Sequence, residues 1–176
     1  LSVFHEQRRG GIGSRGTRTR EQDFIEDIYP ATMHNTMLFF TKKGLCYWLK
    51  CYEIPEGNKD SKGRAIQNML NIDPDDQIQS VLRLRGLNDE EFVNNHYVVF
   101  CTKSGIVKKT CLKQYSRPRS NGLIAINLME GDSLVDVRLT NGRNELIIAS
   151  RKGRADRFDE NDVRTIGRDA IGGRGI

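Results

Sequence analysis

The chain has 176 residues, of which 37% are hydrophobic and 29% are charged, and its formal net charge is +5. This composition is typical of a soluble domain with room for a hydrophobic core, and no apolar run approaches the ~20 residues that cross a bilayer. The basic excess suits a nucleic acid or another polyanion as partner. Because the first residue is Leu1 rather than Met, we expect a piece of a longer polypeptide.

The first element along the chain is a basic, glycine-rich segment at residues 7–20. It reads QRRGGIGSRGTRTR and contains five arginines and no acidic residue. Arginine presents a planar fork of donors that matches phosphate oxygens, and glycine lets a backbone approach its partner closely. The segment therefore predicts a loop that binds a polyanion. The alternative is a solvated or disordered tail.

Two short patterns follow, and each occurs three times. The first is an apolar run, then a hydroxyl residue, two polar positions and a glycine, at residues 41–44, 102–105 and 150–153. The second is an aspartate with aliphatic residues two and five positions later, at Asp23, Asp76 and Asp132. The two patterns alternate strictly along the chain, which indicates internal repeats.

Each repeat has the pattern of β structure. The glycine-containing tetrapeptides are typical of hairpin turns. The recurring aspartates are expected to cap backbone amides at the start of a strand. Residues 89–92 would form one helical turn. Strands are predicted at residues 37–40, 97–100 and 146–148, with return strands at 45–48, 106–109 and 154–157.

Repeats of ~40–50 residues with about four strands each predict an all-β, propeller-like array of four-stranded antiparallel blades. A β-sandwich is the alternative, but it does not require the alternating patterns. The repeat also places the basic segment, because the spacing from Leu1 to Gly11 equals that from Leu112 to Gly122. We expect units at residues 1–36, 37–95, 96–144 and 145–176, the first and last incomplete. Sibling loops carry Lys59, Lys62 and Arg64, and Arg164, Arg168 and Arg174.

The residue types that support catalysis or metal binding show no suitable arrangement. The histidines are far apart, and no nucleophile–base set or P-loop is identifiable. We therefore predict no catalytic residue and no metal site. Four cysteines without metal-binding spacing are expected to be free thiols in a reducing cytoplasm: Cys46, Cys51, Cys101 and Cys111.

The heptapeptide QRRGGIG at residues 7–13 resembles the gyrase-A box, the hallmark of the C-terminal domain of the bacterial DNA gyrase A protein. The chain is similar to that family over its whole length, including residues 52–55, 105–110 and 157–164. Ile12 departs from the box, since the family usually has lysine there, and one expected phosphate contact is missing. The alternative is the corresponding topoisomerase IV protein, which has similar blades but lacks an intact box.

The resemblance implies a β-pinwheel of about six blades, of which this chain covers about three. It also implies that duplex DNA is wrapped around a basic rim, with gyrase B as partner in an A2B2 holoenzyme that supercoils DNA negatively. ATP, Mg²⁺ and the catalytic tyrosine would act elsewhere in that type IIA topoisomerase, so this chain would not itself be an enzyme. Its location would be cytoplasmic and nucleoid-associated, with no membrane partner.

The predicted mechanism is neutralisation of backbone phosphates without sequence reading. An RNA-binding module with an RGG-like loop and a protein-interaction scaffold without DNA affinity remain open. Candidate contacts in the box and its continuation are Gln7, Arg8, Arg9, Gly10, Gly11, Gly13, Arg15, Arg18 and Arg20. Candidate contacts on the blade rim are Lys42, Lys43, Lys103, Lys108, Lys109, Arg117, Arg119, Arg151, Lys152 and Arg154.

Overall fold

The computed structural model describes residues 35–57 and 66–175, together with the isolated positions Arg9, Gly11, Ile28, Pro30 and Thr32. The regular secondary structure of the described part is mainly antiparallel strands, arranged in two four-stranded sheets and one two-stranded sheet. The all-β prediction is therefore confirmed. None of the described helices is long and apolar enough to cross a membrane.

The first four-stranded sheet, blade A, has the strand order β3-β1-β2-β6. Its first three strands follow one another in the chain, whereas the fourth comes from beyond the hairpin of the next unit. The bounds are β1 (Thr36–Thr41), β2 (Leu45–Lys50), β3 (Ile78–Leu84) and β6 (Leu123–Ile124).

The second four-stranded sheet, blade B, repeats this arrangement in the order β10-β5-β4-β7. Its strands are β4 (Tyr97–Thr102), β5 (Ile106–Cys111), β7 (Leu134–Thr140) and β10 (Gly173–Arg174). A third hairpin consists of β8 (Glu145–Ala149) and β9 (Ala155–Asp159). Each blade thus takes its outermost strand from the following unit, which ties neighbouring units together.

Short helical segments connect the strands. They are α1 (Ile66–Met69), α2 (Glu90–Asn95) and three 3₁₀ turns that follow β2, β5 and β9, at Cys51–Glu53, Leu112–Tyr115 and Glu160–Asp162. The helical turn predicted near residue 90 is confirmed, and the Asp89 carboxylate caps it by accepting from the amides of Glu91 and Phe92. The four-residue α1 was not predicted.

The hydroxyl-x-x-Gly pattern forms the three predicted hairpin turns. The Thr41 hydroxyl oxygen accepts a hydrogen bond from the Leu45 amide at 3.1 Å, and Thr102 does the same for Ile106 at 3.2 Å. Ser150 repeats this with Arg154 at 3.1 Å. The turn glycines have φ between 80° and 88°, a left-handed conformation that glycine adopts without steric cost.

The recurring aspartates hold these turns from the adjoining strand. Asp76 Oδ1 accepts from the amides of Lys43 at 3.1 Å and Gln77 at 2.9 Å. Asp132 Oδ1 accepts from the amides of Ser104 at 3.0 Å and Ser133 at 2.9 Å. The capping role is confirmed for both residues, while Asp23 lies outside the described residues.

The main core lies between blades A and B. Phe40 of β1 and Phe100 of β4 meet edge to face with ring centroids 5.4 Å apart, and Tyr115 packs against both. All three side chains are buried. A second cluster covers the other face of blade A, where Phe39 and Tyr47 pack with Leu70 and Ile72. The blades therefore pack against each other through this core, to which the connecting turn at Tyr115 also contributes.

Candidate nucleic-acid interface

The three hairpin turns present exposed cations. Lys42 and Lys43 lie in the first turn, Lys103 in the second, and Arg151 and Lys152 in the third, with Arg154 immediately after it. Because the turns occupy equivalent positions in successive units, the cations form a repeated set. Such a set can bind a polyanion through several weak contacts spread over the units.

Lys43 differs from the other turn cations because an acid engages it. Its Nζ lies 2.6 Å from Asp75 Oδ2, and both side chains are more than half exposed. The hydrogen bond with Asp75 is the main cause that raises the pKa of Lys43, and it lowers the pKa of Asp75. A phosphate at this turn would have to compete with Asp75, so Lys43 is the weakest candidate among the turn cations.

A basic loop follows the 3₁₀ turn after the blade B hairpin, and another follows the 3₁₀ turn after the hairpin of β8 and β9. The first basic loop, residues 116–122, carries Arg117 and Arg119, both exposed. Ser116 Oγ donates to Lys113 O at 2.7 Å, and the Gly122 amide donates to Arg119 O at 3.0 Å. These bonds close the loop upon itself and leave both guanidinium groups at the surface.

The second basic loop, residues 164–172, carries Arg164 and Arg168. Arg164 is exposed, whereas Arg168 is partly buried and its Nη1 donates to Ile124 O at 2.7 Å. Arg174 follows the loop in β10 and is exposed. Arg164 and Arg174 therefore join the candidate contacts. The sequence signal for both residues was their position in a basic loop that recurs in each repeat.

Lys108 and Lys109 do not belong to this surface, and their assignment to the rim was wrong. Both side chains are buried, with 0% and 3% relative exposure. The Lys108 ammonium donates to the carbonyl oxygens of Ala125, at 2.8 Å, and Arg168. The Lys109 ammonium donates to Glu160 O at 3.3 Å and lies 4.4 Å from the ring centroid of Tyr97. Neither ammonium group can reach a phosphate outside the protein.

The glycine-rich box is described at two positions. Arg9, in a turn, and Gly11 are both exposed, as a contact with an external partner requires. The rest of the predicted set in this segment lies outside the described residues: Gln7, Arg8, Gly10, Gly13, Arg15, Arg18 and Arg20.

The cysteines are free thiols, as predicted, and Cys46 is fully buried while the other three are partly buried. Burial raises the pKa of the Cys46 thiol well above its usual range, so this side chain packs as a small apolar group. Across residues 35–57 and 66–175, no cluster of three or more histidine, cysteine or acidic side chains is arranged to hold a metal ion.

The chain matches the family model described as "DNA gyrase C-terminal domain, beta-propeller" at residues 1–32, 35–85, 96–141 and 144–176. The DNA gyrase A protein of Clostridium acetobutylicum is 46% identical over 98% of this chain. The chain spans only about a fifth of the length of such curated relatives, 20% in this case.

Solved structures show the same architecture. A C-terminal domain of DNA topoisomerase IV is 35% identical and has a TM-score of 0.71, covering 81% of this chain and 43% of the other. A DNA gyrase A C-terminal domain is 20% identical and has a TM-score of 0.67, covering 92% and 52%. At 20% identity this second likeness shows the fold alone. The β-pinwheel predicted from the sequence is thus confirmed.

Proposed function

This chain belongs to the DNA gyrase C-terminal domain family, and from that premise we propose that it binds and wraps duplex DNA without reading its sequence. The observation that carries the proposal is the repetition of exposed cations at equivalent hairpin turns and basic loops. Lys and Arg side chains at such positions neutralise phosphates and release counterions, and they carry no base information.

Wrapping places a particular demand on this surface. A strong bend over 20–30 base pairs costs on the order of 1–6 kcal/mol, so the favourable contacts must be spread along the bent duplex. A single basic patch would hold DNA but would not follow it around the protein. Exposed cations that recur from unit to unit, with Lys42 in the first turn, Lys103 in the second and Arg151 in the third, suit this demand.

In the whole protein, the wrap would present a DNA segment for passage and make supercoiling negative and ATP-dependent. The chain would then act as part of the gyrase A protein in an A2B2 assembly with gyrase B, in the cytoplasm at the nucleoid. Catalysis, ATP and Mg²⁺ would belong to other parts of this type IIA topoisomerase. The chain itself would contribute binding and geometry.

A topoisomerase IV protein is the second candidate, because a solved topoisomerase IV domain is 35% identical to this chain. Two observations favour gyrase. The relative at 46% identity over 98% of the chain is a gyrase A protein, and the sequence retains six of the seven box residues, with Ile12 as the exception.

The first test is the salt dependence of DNA binding. If about six cations contact phosphates, log affinity should fall against log salt concentration with a slope of about −5, roughly 0.9 per contact. The measurement uses fluorescence-labelled long and short duplexes of unrelated sequence, with single-stranded RNA as competitor. A flat salt response or a strong preference for one short sequence would contradict phosphate neutralisation. Tighter binding of RNA would favour the RNA-binding alternative.

The second test addresses wrapping in the whole enzyme. Arg8→Ala with Arg9→Ala removes a few phosphate contacts among many, so DNA affinity should fall only in part. Losing a few kcal/mol can make the wrapped state a minor population. Negative supercoiling should therefore fail while ATP-dependent relaxation and decatenation persist. A parallel decline of all three activities would contradict a specific role in wrapping.

A further inference from the structure

Each basic loop starts in one unit but is held by the second hairpin strand of the preceding blade. We propose that Trp48 in blade A, and Lys108 and Lys109 in blade B, are positioning residues that hold the next basic loop where its arginines meet phosphate. The inference rests on the proposed DNA binding. It also assigns a role to Lys108 and Lys109, which are buried and do not lie on the blade rim.

The first basic loop is held by side chains of blade A. The Trp48 indole Nε1 donates to Tyr115 O, at the start of the loop, at 2.8 Å. Asn71 Nδ2 donates to Ser120 O, in the middle of the loop, at 3.2 Å. At its end, a Cβ built on Gly122 would lie 2.8 Å from the Tyr47 ring. Strand β2 thus contacts the loop at its start and its end, and the segment between α1 and β3 contacts its middle.

The second basic loop is held in the same way by blade B. Lys109 Nζ donates to Glu160 O at 3.3 Å, and the Ile166 amide donates to Lys109 O at 2.9 Å. Lys108 Nζ donates to Arg168 O inside the loop. A Cβ built on Gly172 would lie 2.7 Å from Val107 O and 2.9 Å from Lys108 Cβ.

The anchoring residues occupy equivalent places in the two blades. Tyr47 and Trp48 are the third and fourth residues after the turn glycine Gly44, and Lys108 and Lys109 are the third and fourth after Gly105. Trp48 and Lys109 each donate to a carbonyl of the 3₁₀ turn that leads into the loop. An indole in one blade and an ammonium in the other therefore donate from the same strand position, but to different carbonyls of the 3₁₀ turn.

This arrangement fixes the loop arginines relative to the preceding blade. A loop tethered only at its ends would lose conformational entropy each time its arginines met phosphate. A loop held by side chains along its length has already lost that freedom. The anchors should therefore increase DNA affinity without touching DNA, which separates them from direct contacts such as Arg117.

The test compares Trp48→Phe, which removes the indole donor and keeps an aromatic ring, with Tyr52→Phe, a nearby exposed aromatic, as control. We expect Trp48→Phe to weaken duplex binding by about fivefold, the effect of one lost hydrogen bond. In a background that carries Arg117→Ala and Arg119→Ala, the same substitution should change affinity by less than about twofold. Amide hydrogen exchange at residues 116–122 should accelerate in Trp48→Phe and remain unchanged in Tyr52→Phe.

The blade B anchor is tested by Lys109→Met combined with Glu160→Leu, which removes both charges of this buried pair, with and without Arg164→Ala. Equal losses of affinity in both arginine backgrounds would overturn the inference, as would unchanged exchange in both loops. Lower stability with unchanged DNA affinity would show a merely structural role and would overturn it too. If the unsubstituted chain shows no salt-dependent DNA binding, the proposed function fails, whereas loop exchange still decides whether these residues anchor the loops.

Discussion

Lys109 and Glu160 form an ion pair inside the protein, with Nζ 3.7 Å from Oε2 and side-chain exposures of 3% and 0%. Glu160 Oε1 also accepts from the Asn144 amide at 3.0 Å. The pair joins β5 of blade B to the 3₁₀ turn that follows β9. The equivalent of Glu160 in the preceding unit is Leu112, which is fully buried. One unit thus uses charges where its neighbour uses an apolar side chain.

Removing one partner of this pair should be costly. Glu160→Leu leaves the Lys109 ammonium buried without a counter-charge, so the free energy of unfolding should fall by about 3–5 kcal/mol. Adding Lys109→Met should recover the part of that loss that comes from the buried charge, while the Asn144 amide still lacks its acceptor. Urea denaturation measures both effects. Glu145→Gln is the control, since its pair with Arg157 is mostly exposed and should contribute less than about 1 kcal/mol. A loss from Glu160→Leu as small as the control's would show that the pair is not stabilising.

Two turn glycines with similar backbones should respond differently to alanine. Gly44 and Gly153 have φ of +88° and +80°, but a Cβ on Gly44 would lie 2.6 Å from Ile126 O, whereas one on Gly153 has nothing within 4 Å. Gly153→Ala should therefore cost only the left-handed strain of about 1–2 kcal/mol. Gly44→Ala should cost about 1–3 kcal/mol more, because the backbone that follows β6 must move.

Thermal and urea denaturation of the two glycine variants provide the comparison. Circular dichroism at low denaturant serves as the control that both variants keep the sheet structure. If the two variants lose equal free energy of unfolding, the backbone at Ile126, which follows β6, moves away from residue 44 at little cost.

The turns and hairpins were predictable because their signals act locally and recur. Thr41 bonds the amide four residues later, and its role is readable from spacing alone. Strand β6, which completes blade A from the following unit, was not predictable from the sequence. Two residues are too few to show an alternation of apolar and polar side chains, and their partner β2 lies in an earlier unit. Lys108 and Lys109 were misassigned because sequence shows their charge but not the carbonyls of distant loops that cover them.

Asp132 should make stability depend on pH in the acidic range. Burial acts to raise its pKa, but the nearby Thr102 hydroxyl and the hydrogen bonds from the amides of Ser104 and Ser133 outweigh it and lower the pKa. The folded state then binds fewer protons than the unfolded state, whose carboxyl has a pKa of about 3.9. The stabilisation is present above that pKa and is lost as the pH falls through the folded value.

Asp132→Asn should therefore lower the free energy of unfolding by about 1–2 kcal/mol near neutral pH. The difference from the unsubstituted chain should shrink between about pH 5 and about pH 2. Denaturation curves across this range measure the difference, and Asp156→Asn, at an exposed position of β9, is the control. A difference that stays constant down to about pH 2 would contradict the assigned direction of the shift.

Lys108 should produce the opposite, alkaline dependence. Burial lowers its pKa to about 8, with Asp169 acting to raise it and Arg168 to lower it. An unfolded lysine has a pKa of about 10.4, so between these two values the unfolded state binds more protons and stability rises with pH. Below about pH 8 both states are protonated, and the cost of burying the charge is fully present.

Two other buried groups, Cys46 and Tyr115, act against this rise of stability with pH, so their effect must be separated from that of Lys108. Burial raises the pKa values of Cys46 and Tyr115, so their unfolded forms lose protons first and lower the stability at high pH. Lys108→Met retains both groups, and the stability of the unsubstituted chain minus that of the variant isolates the lysine. This difference should increase from about pH 8 to about pH 10, by up to ~1.4 kcal/mol per unit. Lys103→Met, at an exposed turn position, should show no such increase. If the Lys108 difference is flat across this range, the ammonium is not desolvated as its burial requires.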